Sequence, residues 1–213
     1  MPNVKYLFFH TAAADIRNVD ARRIDRWHRD KGWSGIGYHY VIIDDRHDTL
    51  PDGAVEKGRA ENRNGAQVLG ANSISLGICC VGHGNVTDFT QAQKVSLVNL
   101  LVKLADKYNV PTENILGHRE VNTLVDSDIL DESARTSKSC PGNKVDTNEI
   151  RGLVEVARSG GTIASATGLG AQSPDVVVEA LRIIAANEEM LGNAREEWRN
   201  FFFNGEIQAL MES

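Results

Sequence analysis

The chain has 213 residues, 41% of them hydrophobic, which is enough to bury a sizeable core and sets an expectation of one domain plus an extension. Its formal net charge of −6, with basic residues interleaved among acids as in "DARRIDRWHRDKGW", argues against a nucleic-acid partner, because phosphate neutralisation needs clustered Lys and Arg. No apolar run approaches the roughly 20 residues of a membrane-spanning helix, and the start "MPNVKYLFFHTAAAD" lacks the features of a secretory signal, so neither membrane insertion nor export by that route is expected.

Along the chain, "VKYLFF" is a short apolar run rich in aromatics and predicts a buried strand with His10 at its end. Residues 20–31 place Ile24, Trp27 and His28 at helical spacing behind Asp20, a suitable N-cap, and Gly32 ends the pattern. "IGYHYVIID" is strongly β-prone. The Pro-Asp-Gly turn signal in "TLPDGAVEKGR" then predicts a hairpin with a further short strand, and "SISLGICCVG" predicts a third clear strand. Cys79 and Cys80 should point to opposite faces of that strand, so a disulfide framework is not expected from three cysteines.

Thr90 and Gln93 in "TQAQ" form a capping-box pattern, and Ala92, Val95, Val98, Leu101, Val102, Ala105 and Tyr108 line one face of the long helix that follows. "NILGHREV" delivers His118 at a strand or strand end. Residues 122–136 are polar and without persistent period, which predicts a loop or irregular insertion leading into "SKSCPG". "DTNEIRGLVEVAR" is the last helix of the domain, with caps at residues 146–148. Residues 159–174, rich in Gly, Ser, Thr and Ala, read as a flexible linker. Residues 175–213 read as a helical extension bearing Trp198, Phe201, Phe202 and Phe203. Docking or self-association through these helices is expected, since the cluster would otherwise expose a large apolar patch.

Zinc favours imidazole nitrogen and thiolate sulfur, and a catalytic site supplies three protein ligands and leaves the fourth position for water. His10, His118 and Cys140 would make such a set. Spacing alone carries little weight, because no Cys-x-x-Cys or His-Glu-x-x-His is present, and a lone His or Cys is more often structural. The order of the motifs is more specific. "FFHTAAA", "RRIDRWHRDKGW", "IGYHYVI", "DGAVEKGR", "NSISLGICCVG", "TQAQ", "ILGHREV" and "SKSCPG" together resemble the zinc-dependent N-acetylmuramoyl-L-alanine amidases, the family of amidase-type phage lysozymes and peptidoglycan recognition proteins.

The resemblance spans about residues 4–155 and implies an α/β fold, a mixed central β-sheet flanked by helices, with residues 1–158 as the catalytic domain. It implies His10, His118 and Cys140 as ligands of one Zn2+ per chain and Tyr38 and Lys138 as catalytic residues. The implied reaction is hydrolysis of the amide between N-acetylmuramic acid and L-alanine in peptidoglycan, the muramyl peptide being the substrate. An endolysin of a phage or prophage is the leading expectation, made in the host cytoplasm and reaching the wall through a membrane pore. A non-catalytic muropeptide binder of the same fold and a wall-recycling amidase are the alternatives. Retention of Cys140 and Lys138 favours an enzyme over a binder, which needs neither.

The other candidates have plainer readings. His28 and His39 are expected as core histidines, packed against Trp27 or hydrogen-bonded in the interior. His47 and His83 fall in turn-like segments and should be exposed. Arg59 is open between substrate contact and a structural salt bridge. Gln67 stands where relatives often carry a histidine facing the cleft, and the insertion at 122–136 is longer than in compact phage amidases.

Overall fold

The computed structural model describes residues 3–160, and five strands form one mixed sheet in them. They are β1 (Tyr6–Thr11), β2 (Tyr40–Ile42), β3 (Val55–Lys57), β4 (Ser75–Cys80) and β5 (Ile115–Gly117). The sheet order is β3-β2-β4-β1-β5; β1 runs parallel to both β4 and β5, β2 runs parallel to β4, and only β3 is antiparallel. All six residues of β1 and of β4 are buried. A strand covered on both faces has no reason to alternate polar and apolar residues, which is why these two appear in the sequence as continuous apolar runs.

Four α-helices cover the sheet: α1 (Ala21–Asp30), α2 (Gln91–Tyr108), α3 (Val121–Asp126) and α4 (Thr147–Arg158). On one face Leu7, Phe9, Ile42, Leu76, Ile78 and Cys80 pack against Leu97, Leu101 and Leu104 of α2 and Ile150, Leu153 and Val154 of α4. On the other, Val41, Cys79 and Val81 pack against Ile24 of α1, while Tyr6 and Phe8 form a separate cluster with Val68, Leu116 and Leu124 of α3. Cys79 and Cys80 therefore lie on opposite faces of β4, as their adjacency requires, and both are free thiols.

The caps match their sequence signals. Asp20 accepts the Arg23 N–H at the start of α1, Thr90 and Gln93 form the reciprocal capping box of α2, and Asp146 accepts from Asn148 and Glu149 at the start of α4. The buried side of α2 is shifted from the predicted stripe: Val98, Leu101 and Ala105 are buried and Val95, Val102 and Tyr108 only partly, while Leu97, Leu100 and Leu104 join the core, because the helix is covered by the sheet and by α4. Gln93 and Lys94 are buried there as well. Gln93 donates to the Ile42 and Val81 carbonyls at 3.2 and 2.9 Å, and Lys94 pairs with Asp88 at 2.7 Å and Glu149 at 2.8 Å. Burial of these polar groups is tolerated because each finds a partner.

Residues 122–136 are more ordered than the expected loop. They contain most of α3 and a 3-10 turn at Glu132–Ala134, with Leu124, Val125 and Ala134 buried. A six-residue helix is too short to display a 3.6-residue period. The expected linker, from residue 161 on, and the helical extension at 175–213 with its self-association lie outside the described residues.

Candidate metal centre and active site

The site is assembled at the carboxyl ends of two adjacent parallel strands, the usual place for chemistry in open α/β sheets. His10 is the fifth residue of β1, following Phe8 on the α1 and α3 side of the sheet. Beside it, β5 ends at Gly117 and the chain turns at once into a 3-10 turn, His118–Glu120. The two imidazole rings meet edge to face with centroids 4.8 Å apart, and both are buried.

Cys140 arrives from the loop "SKSCPG", and its anchor is the neighbour of a ligand. Arg119 donates its backbone N–H to the Cys140 carbonyl at 2.6 Å. Its guanidinium also donates to the carbonyls of Gly142 at 2.7 Å and Val145 at 2.9 Å. Across the loop, Asn85 donates to Ser139 Oγ at 2.9 Å and accepts the Asn143 N–H at 2.8 Å. Gly142 has φ +123, and a Cβ there would lie 2.0 Å from the Gly84 carbonyl carbon, so only glycine lets the two loops come this close. The His118 turn has its own brace: Glu120 accepts the Gly117 N–H at 2.7 Å and is held bidentately by Arg151 of α4, both contacts at 2.9 Å.

Nδ1 of His10 lies 3.6 Å from Cys140 Sγ, and the donor atoms of His10, His118 and Cys140 all lie within 4.8 Å of one another. This is the one group of His, Cys, Asp and Glu among the described residues arranged to hold a metal ion. The separations fit: a nitrogen about 2.1 Å and a sulfur about 2.3 Å from a common tetrahedral centre stand about 3.6 Å apart. The electrostatics fit too. Burial, the neighbouring His118 and the charge of Lys138 hold His10 well below the usual imidazole range, against the opposing hydrogen bond to Gln67. His118 is pushed down to about 4, by burial first and then by Lys138. Both rings are neutral at neutral pH and offer lone pairs. Burial pushes the Cys140 thiol up to about 11, partly offset by a hydrogen bond from the Thr11 backbone and by Lys138 and Arg119. A coordinated cation would provide the charge that stabilises its thiolate.

The remaining predicted positions stand around this group. The half-buried Tyr38 has its ring 5.0 Å from that of His10. Burial and the nearby thiols of Cys79 and Cys140 raise its hydroxyl well above the ordinary phenol range, so it is a neutral donor. Lys138 is exposed, and its charge is felt by all three donor residues. His28 and His39 are core residues. Both are hydrogen-bonded in the interior: His28 accepts the Gly37 N–H at 2.9 Å and packs on Trp33 and Tyr38, and His39 bridges the Gly77 N–H and the Arg63 carbonyl. Arg59 donates to the Ile36 and Asn64 carbonyls at 2.8 and 2.7 Å and so pins the backbone before Tyr38, a structural role filled by hydrogen bonds to carbonyls. His47 and His83 are half-buried rather than exposed, each accepting backbone N–H groups of its own turn.

Sequence reasoning missed the supports: Arg119, Glu120, Arg151 and Asn85. The available signal was the pair of charged residues directly after His118, at the end of an apolar strand where solvated charges are out of place.

Among proteins of known kind, the family model described as N-acetylmuramoyl-L-alanine amidase matches residues 1–143. The endolysin of Escherichia phage T7 is 40% identical over 121 residues, which cover 54% of this chain and 74% of the relative. The endolysin of Klebsiella phage KP32 is 36% identical over the same shares. The solved structure of the N-acetylmuramoyl-L-alanine amidase LysC from Clostridium intestinale superposes with a TM-score of 0.58 at 29% identity, covering 72% of this chain and 86% of that one. With the mixed sheet, the two strand-end histidines and the loop cysteine in place, the chain belongs to the N-acetylmuramoyl-L-alanine amidase family, hydrolases of an amide bond in bacterial peptidoglycan.

Proposed function

We propose that His10, His118 and Cys140 hold one zinc ion, and that the chain is a phage or prophage endolysin acting on the amide between the lactyl group of N-acetylmuramic acid and the L-alanine of the stem peptide. The observation that carries the metal assignment is the convergence of two neutral imidazoles and a thiol within 4.8 Å. Two nitrogens and one sulfur suit zinc, and three ligands leave a fourth position open. When bound, zinc lowers the pKa of a coordinated water from about 15.7 toward 7 and polarises a carbonyl as a Lewis acid. The similarity to proteins named endolysins supports action at the cell wall, reached in this reading after release through a membrane pore.

The chain's own groups divide the remaining work. Tyr38, neutral because its hydroxyl is buried, donates a hydrogen bond that orients the attacking water or the scissile carbonyl and does not act as a phenolate base. Lys138, exposed and with a charge that reaches the donors, stabilises the negative charge that grows on the carbonyl oxygen, a contribution on the order of 100-fold in rate. Glu120, Arg119 and Arg151 hold the turn and the loop still, so the donors are preorganised before substrate arrives.

Mass spectrometry of digested peptidoglycan, with metal analysis of the same preparation, tests this reading. Stem peptides beginning with L-alanine and about one zinc per chain are expected. Cut glycan strands, or a folded active protein without zinc, would overturn it.

A further inference from the structure

Three polar groups run in series behind His10. Nε2 of His10 lies 2.5 Å from Gln67 Oε1, Gln67 Nε2 lies 2.8 Å from Ser75 Oγ, and Ser75 Oγ donates to the Ala71 carbonyl at 2.7 Å. The carbonyl can only accept, and that end fixes the direction of the whole series. The Ser75 hydroxyl spends its proton on Ala71, so toward Gln67 it must accept; the Gln67 amide then turns its NH2 to Ser75 and its oxygen to His10. An oxygen facing His10 requires a proton on Nε2. A neutral imidazole carries one proton, so Nδ1, the nitrogen 3.6 Å from Cys140 Sγ, is left with its lone pair.

The seat of Gln67 is built for this contact. A Cβ on Gly77 of β4 would lie 2.7 Å from Gln67 Cγ and 2.8 Å from its Cδ, so the side chain lies flat across the strand in space that any other residue would fill. Its backbone N–H and that of Val68 both donate to Asn72 Oδ1, at 2.8 and 3.0 Å, which holds the loop beneath His10. Ser75 is buried, so the end of the series that sets its direction is shielded from water.

We infer that Gln67 is the positioning residue of the metal centre: its amide oxygen holds the Nε2 proton of His10 and thereby selects Nδ1 as the nitrogen presented to the ion. Gln67 touches no reacting atom and works through His10. Such partners fix the ring's tautomer and orientation, and their loss typically weakens metal binding about 10–100-fold. The inference rests on the zinc reading above.

The decisive experiment has two arms on the full chain. Long-range proton–nitrogen NMR of zinc-free wild type is expected to show His10 protonated on Nε2; protonation on Nδ1 would overturn the inference, and this arm needs no variant to fold and no metal to bind. Chelator competition then gives zinc dissociation constants. Gln67→Met keeps the volume without an acceptor and is expected to bind zinc about 10–100-fold more weakly, whereas Gln67→Glu keeps an acceptor and is expected to bind no more weakly than wild type. A Gln67→Met protein binding within about twofold of wild type would reduce Gln67 to packing, since a lost partner of this kind costs tenfold or more. Wild type that takes up no zinc would remove the metal assignment itself, an outcome the NMR arm separates from failure of the Gln67 contact.

Discussion

Lys138 acts on three residues at once. Its charge contributes to the depressed basicity of His10 and His118 and opposes the burial that raises the Cys140 thiol. A cation beside a metal site is costly for binding the ion and useful once a carbonyl oxygen gathers negative charge. The two effects can be separated. In Lys138→Ala, zinc stoichiometry is expected to hold, while hydrolysis of purified peptidoglycan falls by about 100-fold or more, the scale typical for one stabilising donor. In the zinc-free variant the His118 imidazole should titrate above its value of about 4, because a repulsive charge has been removed and burial alone remains. Proton NMR titration of His118 reads that shift. Unchanged hydrolysis together with an unchanged His118 would place the ammonium away from the site.

At the scale of elements, the Cys140 loop has no regular structure and depends on Arg119 to close on the strand ends. Arg119→Ala removes side-chain hydrogen bonds to the Gly142 and Val145 carbonyls and leaves those oxygens to find water. Hydrogen bonds from charged groups contribute about 1.5–3 kcal/mol each and do not add fully, so a loss of about 2–3 kcal/mol is expected by urea denaturation. Zinc should bind more weakly as the loop loosens; full stability with full zinc affinity would show that Asn85 and the Gly84–Gly142 contact suffice. This brace also marks where the sequence stopped being legible. The buried strands β1 and β4, the capped helices and the Pro-Asp-Gly hairpin carry their own periods and punctuation. β5, at three residues, and α3, at six, are too short to carry any. His10, His118 and Cys140 could be grouped only through the order of the motifs, since nothing in separations of 108 and 22 positions brings them together. Arg119, Arg59 and the Ser75 end of the Gln67 series were hidden for a different reason: their partners are backbone carbonyls, which every residue has and no sequence pattern announces.

At the scale of the whole molecule, contacts far apart in sequence must tie the sheet to the helical layer, and one carboxylate does this at β2. Glu61 accepts the hydroxyls of Tyr40 on β2 and of Tyr108 on α2, and pairs with Lys107 at 2.8 Å. Burial alone would raise its pKa, but the hydrogen bonds from Lys107, Tyr108 and Tyr40 outweigh it and leave the carboxyl below its ordinary value. A depressed folded pKa means that the unfolded chain takes up the proton first on acidification. The stabilisation is therefore complete above the unfolded carboxyl pKa, about 4.3, and is lost as pH falls through the lower folded value. His10 and His118, both lowered, superimpose a separate loss that begins nearer their unfolded pKa, about 6.5, so the wild-type curve alone cannot report Glu61. The difference between wild type and Glu61→Gln can, since the histidines are common to both. That difference in unfolding free energy, measured in urea, should be constant from about pH 7 to 5 and shrink steadily as pH falls below about 4. A difference that stays flat down to pH values of about 3 would mean that the ionised carboxylate contributes no more than its protonated form, and that its charge does not help tie β2 to α2.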